Sequence, residues 1–191
     1  MNNYEEKFNI AKQLHSSGKI KESQKIYLDL VKIYKNNYIL FYLIGTTFLQ
    51  LKKFDEAINH FDTSIKLNSN FPEAYNNLGI ALAEKEKYSK ALVNYNKAIK
   101  LKDDYIDAHI NRGISLSKLE KFNDAINDFN FVIRTQPLNP KAHNNLGNVF
   151  KKLKNYDEAI NSYNKAININ QNYFEAISNK AVSYTHLTLP T

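Results

Sequence analysis

Residues 72–105 read PEAYNNLGIALAEKEKYSKALVNYNKAIKLKDDY. Pro72 suits a first helical turn, where its missing N–H costs nothing. Tyr75, Leu78, Gly79 and Leu82 recur at helical spacing and make one apolar stripe. The segment EKEKYS, residues 84–89, is polar and short, and Ser89 is the expected N-cap of a second helix. That helix carries Ala91, Leu92, Tyr95, Ala98, Ile99 and Leu101 on its apolar side. The stretch is a helical hairpin.

The hairpin repeats. NNLG stands at 76–79 and again at 144–147, with INRG between them at 110–113. Four of the five glycines, Gly45, Gly79, Gly113 and Gly147, stand 34 apart. Ala57, Ala91, Ala125 and Ala159 keep the same beat, as do the rings of Tyr27, Phe61, Tyr95, Phe129 and Tyr163 and those of Phe54, Tyr88, Phe122 and Tyr156. Asp55, Asn123 and Asp157 match Ser89 in phase and are expected to cap their own second helices. A fixed period of this length marks a stacked array, in which each unit buries its apolar face only against its neighbours. Glycine inside a helix costs about 0.5–1 kcal/mol relative to alanine, so four at one phase need a packing reason. Gly79, with Ala91 and Ala98, is expected to bring two backbones close, and Tyr88 and Tyr95 to fill the wedge toward the next unit. The units run 4–37, 38–71, 72–105, 106–139 and 140–173, with a partial sixth from 174.

The order of a large residue, Leu-Gly, a second apolar residue, an aromatic, Ala, an aromatic and Ala resembles the tetratricopeptide repeat over residues 4–182. The resemblance implies an all-α fold, a right-handed superhelical solenoid of antiparallel helical hairpins. It implies a protein–protein interaction scaffold with an extended peptide or partner protein in its inner groove. The first unit departs most, with Ala11 for glycine, Ser23 for alanine and Lys7 for the first large residue.

Composition narrows the function classes. There are no cysteines, hence no disulfides and no thiolate metal sites. No apolar run reaches membrane-spanning length, and the start MNNYEEKFNIAKQLH lacks a secretory pattern, so a cytoplasmic location is expected, with no membrane partner. The net charge is +7, but only Arg112 and Arg134 among 26 cations are the residue suited to bidentate phosphate contact. Lysine here accompanies 27 asparagines and many Ile, Tyr and Phe, all with A/T-rich codons. The charge therefore reads as codon composition, and nucleic acid is not an expected partner.

Catalytic signals are missing: no phosphate-binding glycine loop, no HExxH and no nucleophile elbow. His109 and His143 sit 34 apart at the phase of Tyr75, so they are expected as stacking residues in successive hairpins, too far apart to share a metal. The DEA triplets at 55–57 and 157–159 read as a cap followed by a dipole-favoured first turn. By itself the chain is not expected to be an enzyme or to need a metal or cofactor.

The asparagines carry the functional expectation. Asn77, Asn111, Asn145 and Asn179 share one phase of the first helix, which by the resemblance lines the inner face. A carboxamide both donates and accepts, so a spaced row of them can hold a partner's backbone without reading its side chains. Asn9 has this phase in unit one, and Leu43 interrupts the row in unit two. A second row, Asn96, Asn130 and Asn164, is expected to face outward. The inner ladder is similar to that lining the repeat arm of O-linked N-acetylglucosamine transferases, which implies an alternative: a substrate-recruiting arm of a larger transferase whose catalytic domain lies downstream. The family's two-carboxylate clamp wants cations beside inner asparagines. Tyr42, Thr46, Asp107 and Asn111 flank Asn77 instead, so that mode is not expected.

After Lys180 comes AVSYTHLTLPT, with no Asp, Glu, Lys, Arg or Asn. Thr185, Thr188, Thr191 and Pro190 are poor helix material. Residues 183–191 are therefore expected to be a non-repeat tail, similar to translated adapter or vector sequence, and residues 181–191 to add little stability. The natural chain is expected to continue beyond the sixth unit's first helix.

Overall fold

The computed structural model of the chain describes residues 3–188. Among them are eleven α-helices and no strand. One compact unit ends at Asp104 and holds α1 (Asn3–Ser16), α2 (Ile20–Ile33), α3 (Tyr38–Gln50), α4 (Phe54–Leu67), α5 (Pro72–Glu84) and α6 (Tyr88–Leu101). A second begins at Tyr105 and holds α7 (Ile106–Lys118), α8 (Phe122–Thr135), α9 (Pro140–Lys152), α10 (Tyr156–Ile169) and α11 (Phe174–Thr188). In each unit, helices consecutive in the chain pack as antiparallel hairpins. Pro72 and Pro140 open α5 and α9.

The glycine beat has one physical cause. A Cβ on Gly45, Gly79, Gly113 or Gly147 would lie 2.5–2.8 Å from the ring of Phe61, Tyr95, Phe129 or Tyr163 respectively. Real Cβ atoms do not approach carbon that closely, so glycine is what allows each ring to press against the facing helix. These rings are fully buried, and Ala57, Ala91, Ala125 and Ala159 beside them are 0% exposed. Tyr95 thus closes its own hairpin against Gly79 of the preceding helix, and also joins Phe61 and Ala57 in one cluster. Tyr88 is only half-buried. The expected wedge toward the next unit is therefore mainly a seal within the hairpin.

The turns correct the capping expectation. The second helices start one residue before Asp55, Ser89, Asn123 and Asp157, which lie inside the first turn; the caps are Lys53, Lys87, Lys121 and Asn155. The three lysines give no side-chain cap. The preceding residue is what shapes the turn: Lys52, Glu86, Glu120 and Lys154 all have φ between 57 and 60°, and Gly18 has φ 80° at the same phase. The N–H of Lys53 donates to Phe48 O, of Lys87 to Leu82 O, of Lys121 to Leu116 O and of Asn155 to Phe150 O, each at 2.9 Å. This is the Schellman ending, and it satisfies the carbonyls left over at each first helix. Asparagine does cap elsewhere: Asn37 accepts from the N–H of Ile39 and Leu40, and Asn139 from that of Ala142.

The C-terminal segment also differs from expectation. Residues 181–188 continue α11 rather than ending it, so the non-repeat boundary at 183 falls inside a helix. Tertiary contact overrides the weak threonine propensity. Ser183 is fully buried and its hydroxyl donates to Asn179 O at 3.0 Å, Thr185 does the same to Ala181 O at 3.1 Å, and His186 stacks on Tyr156 of α10. Pro190 and Thr191 lie outside the described residues.

Candidate functional site

In the second unit a cleft of about 320 Å³ opens along α7, α9 and α11. Ile114 and Phe129 supply apolar wall, and Lys118, Asn145, Asn148, Lys151, Lys152 and Asn179 supply polar wall. Two members of the asparagine row, Asn145 and Asn179, thus meet at one site. The repeat geometry causes this, since α9 and α11 are consecutive first helices packed side by side.

The two carboxamides differ in state. Asn179 is engaged: its Oδ1 accepts from Lys151 Nζ at 2.9 Å and its Nδ2 donates to Asn144 Oδ1 at 3.4 Å. Asn144 in turn donates to Glu175 Oε1 at 2.9 Å. The Asn145 Nδ2 is covered and has no acceptor among the described residues. A buried unpaired donor costs about 1–3 kcal/mol, which a bound acceptor would recover. The terminal torsion of asparagine is soft, so an acceptor entering the cleft can draw this amide toward it at small cost.

The remaining row members are placed differently. Asn111, half-buried on α7, is outside the cleft lining and already has a partner. Asn77, in the first unit, donates to the Tyr42 hydroxyl at 3.2 Å and accepts from Asn76 Nδ2 at 3.2 Å. All four are half-buried, so the row is partly tied into neighbouring side chains rather than presented bare to solvent. On the other helix Asn96 and Asn130 are exposed and Asn164 is half-buried.

Sequence reasoning missed the lysines. The sequence shows no cation set beside Asn77, but in the second unit Lys118, Lys151 and Lys152 line the same cleft as Asn145 and Asn179. Lys118 and Lys152 are 34 apart, a signal available in the sequence. Lys152 Nζ donates to Ser117 O at 2.9 Å and lies over the Phe122 ring. Burial, then the neighbouring Lys118 charge, pull its pKa below the ordinary lysine value against the opposing effect of Glu120.

A second polar cluster was also missed. Asp128 of α8, 3% exposed, accepts from Arg112 Nε at 2.8 Å and Nη2 at 2.6 Å, and meets His109 Nδ1 at 2.9 Å. Burial is the largest influence on Asp128 and raises its pKa, but the Arg112 and His109 bonds together carry it below the usual carboxylate value. His109 also stacks on Phe131 at 4.1 Å. His143 meets the Pro137 carbonyl at 3.0 Å. Both histidines are buried, as their phase suggested, and hold structure. Among the described residues no group of three or more His, Asp or Glu is gathered as a metal site. No described helix is long and apolar enough to cross a membrane.

Comparison with known proteins agrees with this architecture. The tetratricopeptide repeat profile matches residues 140–173 and the TPR repeat profile matches 45–85 and 81–120. Together they span more than half of the chain, which belongs to the tetratricopeptide repeat family. No curated protein matches the chain significantly. Among solved structures it is similar to YrrB, a TPR protein with an unusual peptide-binding site, at TM-score 0.75 and 20% identity, over 92% of this chain and 90% of that one. It is also similar to a tetratricopeptide repeat protein from Parabacteroides merdae, at TM-score 0.83 and 19% identity over 98% and 74%. A thermophilic TPR protein of Thermus thermophilus gives 0.77 and 16% over 95% and 99%. At these identities the likeness is one of fold. Proteins of this family are generally non-catalytic scaffolds with protein or peptide partners.

Proposed function

We propose that the chain is a protein–protein interaction scaffold that holds an extended peptide segment of its partner, with inner-helix asparagines taking the peptide backbone. The observation that carries this reading is the covered, unpaired amide of Asn145 at the wall of a cleft shared with Asn179. A peptide group offers one acceptor and one donor per residue, which is what a carboxamide pairs with. The peptide-binding site named for YrrB, whose fold this chain shares, supports the same kind of ligand here. Asn111 in the same unit has the same phase one hairpin earlier.

The test is to pull down acceptor peptides from a cell extract and titrate them by calorimetry. Replacing Asn111 and Asn145 of the second unit with alanine is expected to weaken binding by about 1–3 kcal/mol, at 0.5–1.5 kcal/mol for each neutral bond. Because backbone is read, the loss should be similar for peptides of unrelated sequence. Unchanged affinity with intact helicity overturns the proposal. Should the double variant unfold, Asn145→Ala alone decides, since it removes no bond present in the free protein.

A further inference from the structure

We propose that Lys152, at the wall of the second unit's cleft, is an acylation site: its side-chain nitrogen takes the acyl group of an activated donor, a thioester or an acyl phosphate. The inference stands apart from the peptide-binding reading, since the reaction needs only the donor and this lysine. Lys152 is exposed at the cleft wall, so a donor can reach it. Three features set its nitrogen apart from a solvated one. Nζ donates to the carbonyl of buried Ser117, in the last turn of α7, at 2.9 Å. It lies over the Phe122 ring, 5.9 Å from the centroid. The Lys118 charge stands near enough to oppose its own.

An amine attacks as the free base, and a lysine that is desolvated or beside a second cation releases its proton more readily. Burial and Lys118 act in that direction on Lys152, and Glu120 acts against them. The neutral amine attacks the carbonyl carbon of the donor. A C–N bond forms, and the bond from that carbon to sulfur or to phosphate oxygen breaks. The leaving thiolate or phosphate takes the electron pair, and the nitrogen sheds one proton to solvent. No oxidant or reductant takes part. The product suits the same place. An acyl-lysine keeps one N–H, which can still donate to the Ser117 carbonyl, and an acetyl methyl has the Phe122 ring beside it. Its charge is gone, so the opposition from Lys118 is relieved. Acylation thereby removes one of the three lysine charges that line the cleft.

The test incubates the whole chain near neutral pH with acetyl coenzyme A or, separately, with acetyl phosphate. Acetylation of each lysine is timed by mass spectrometry after digestion with a protease that does not cut at lysine. Lys152 should react about threefold or more faster than Lys97, because more of it is free base. Lys97 is the reference: it is exposed and also lies over a ring, that of Tyr75 at 6.0 Å, yet it is outside the cleft lining. Lys118→Gln should slow Lys152 toward the Lys97 rate, and Lys118→Arg, which keeps the charge, should leave it fast. Mere exposure predicts the opposite sign for Lys118→Gln, because a shorter neutral side chain opens the cleft. Lys118 is exposed, so circular dichroism should be the same for both variants. Fast reaction with acetyl coenzyme A alone assigns a thioester donor, fast reaction with acetyl phosphate alone assigns an acyl phosphate, and both together assign the shared chemistry. A Lys152 no faster than Lys97 with either donor, or as fast in Lys118→Gln as in the parent, overturns this inference while the peptide-binding reading stands.

Discussion

Replacing Gly79 with alanine tests the packing that sets the repeat. The new Cβ would stand 2.5 Å from Tyr95 Cε1 and 2.8 Å from Cδ1. Tyr95 is 1% exposed, so its ring has nowhere to swing. The remaining relief is for α5 and α6 to separate, which loosens contacts around Ala91 and Ala98, both 0% exposed. Overpacking of this kind costs about 1–3 kcal/mol. Alanine returns about 0.8–1 kcal/mol as the better helix former. With the ring locked, the upper part of the overpacking range applies, about 2–3 kcal/mol, so the net expectation is a loss of about 1–2 kcal/mol, or about 2–8 °C in Tm for a chain of this size.

One observation bears against too large a figure: Ala11 occupies the glycine phase in the first hairpin and is buried in one cluster with Tyr27. Helix α1 has α2 as its main neighbour, whereas α5 packs on α3, α4 and α6 and has less room to step back. Guanidinium unfolding followed by circular dichroism measures the loss. In a double-mutant cycle, Tyr95→Leu should recover about 1 kcal/mol in the Gly79→Ala background relative to additivity. A Gly79→Ala chain as stable as the parent would refute the reasoning.

Further outcomes follow from the turns, the buried acid and the last helix. Glu86→Gly, at φ 57°, should stabilise the chain by about 0.5–1 kcal/mol by removing left-handed strain, and a lower Tm by thermal melt would contradict it. The lowered pKa of Asp128 means its contribution to stability is present above pH 3.8 and is lost as pH falls through the folded-state value. Asp128→Asn should therefore destabilise the chain at pH 7 and flatten stability against pH below about 4, as urea titrations at several pH values would show. Deleting residues 181–191 removes buried Ser183 and the His186 stack on Tyr156, and should lower Tm by about 5 °C or more. A melt unchanged within a degree or two would show that the end of α11 adds nothing.

The hairpin array was legible because its cause is local and repeated: each glycine within a helix exists for one ring on the next helix, and that pairing recurs in every hairpin from Gly45 and Phe61 to Gly147 and Tyr163. The turns were not legible in the same way. Gly18 announces a left-handed residue, but Lys52, Glu86, Glu120 and Lys154 do the same work with side chains that carry no conformational signal. The Asn145 and Asn179 pairing was visible as a shared phase. Lys118 and Lys152 share a phase too, yet in a lysine-rich chain their positions read as composition. Asp128 was hidden because its partners, Arg112 and His109, come from the preceding helix, and an aspartate at such a position reads as solvated. The tail misled because threonine propensity is weak beside the contacts that α10 offers.

The most direct measurement of the central claim is a ¹H–¹⁵N correlation spectrum of side-chain amides during titration with a peptide recovered by the pull-down. The account predicts that the Asn145 and Asn179 carboxamides shift in a saturable way with one common Kd, while those of Asn96 and Asn130 on the second helices stay still. Saturable shifts at Asn96 and Asn130 with Asn145 unmoved would place binding on the other face and contradict it.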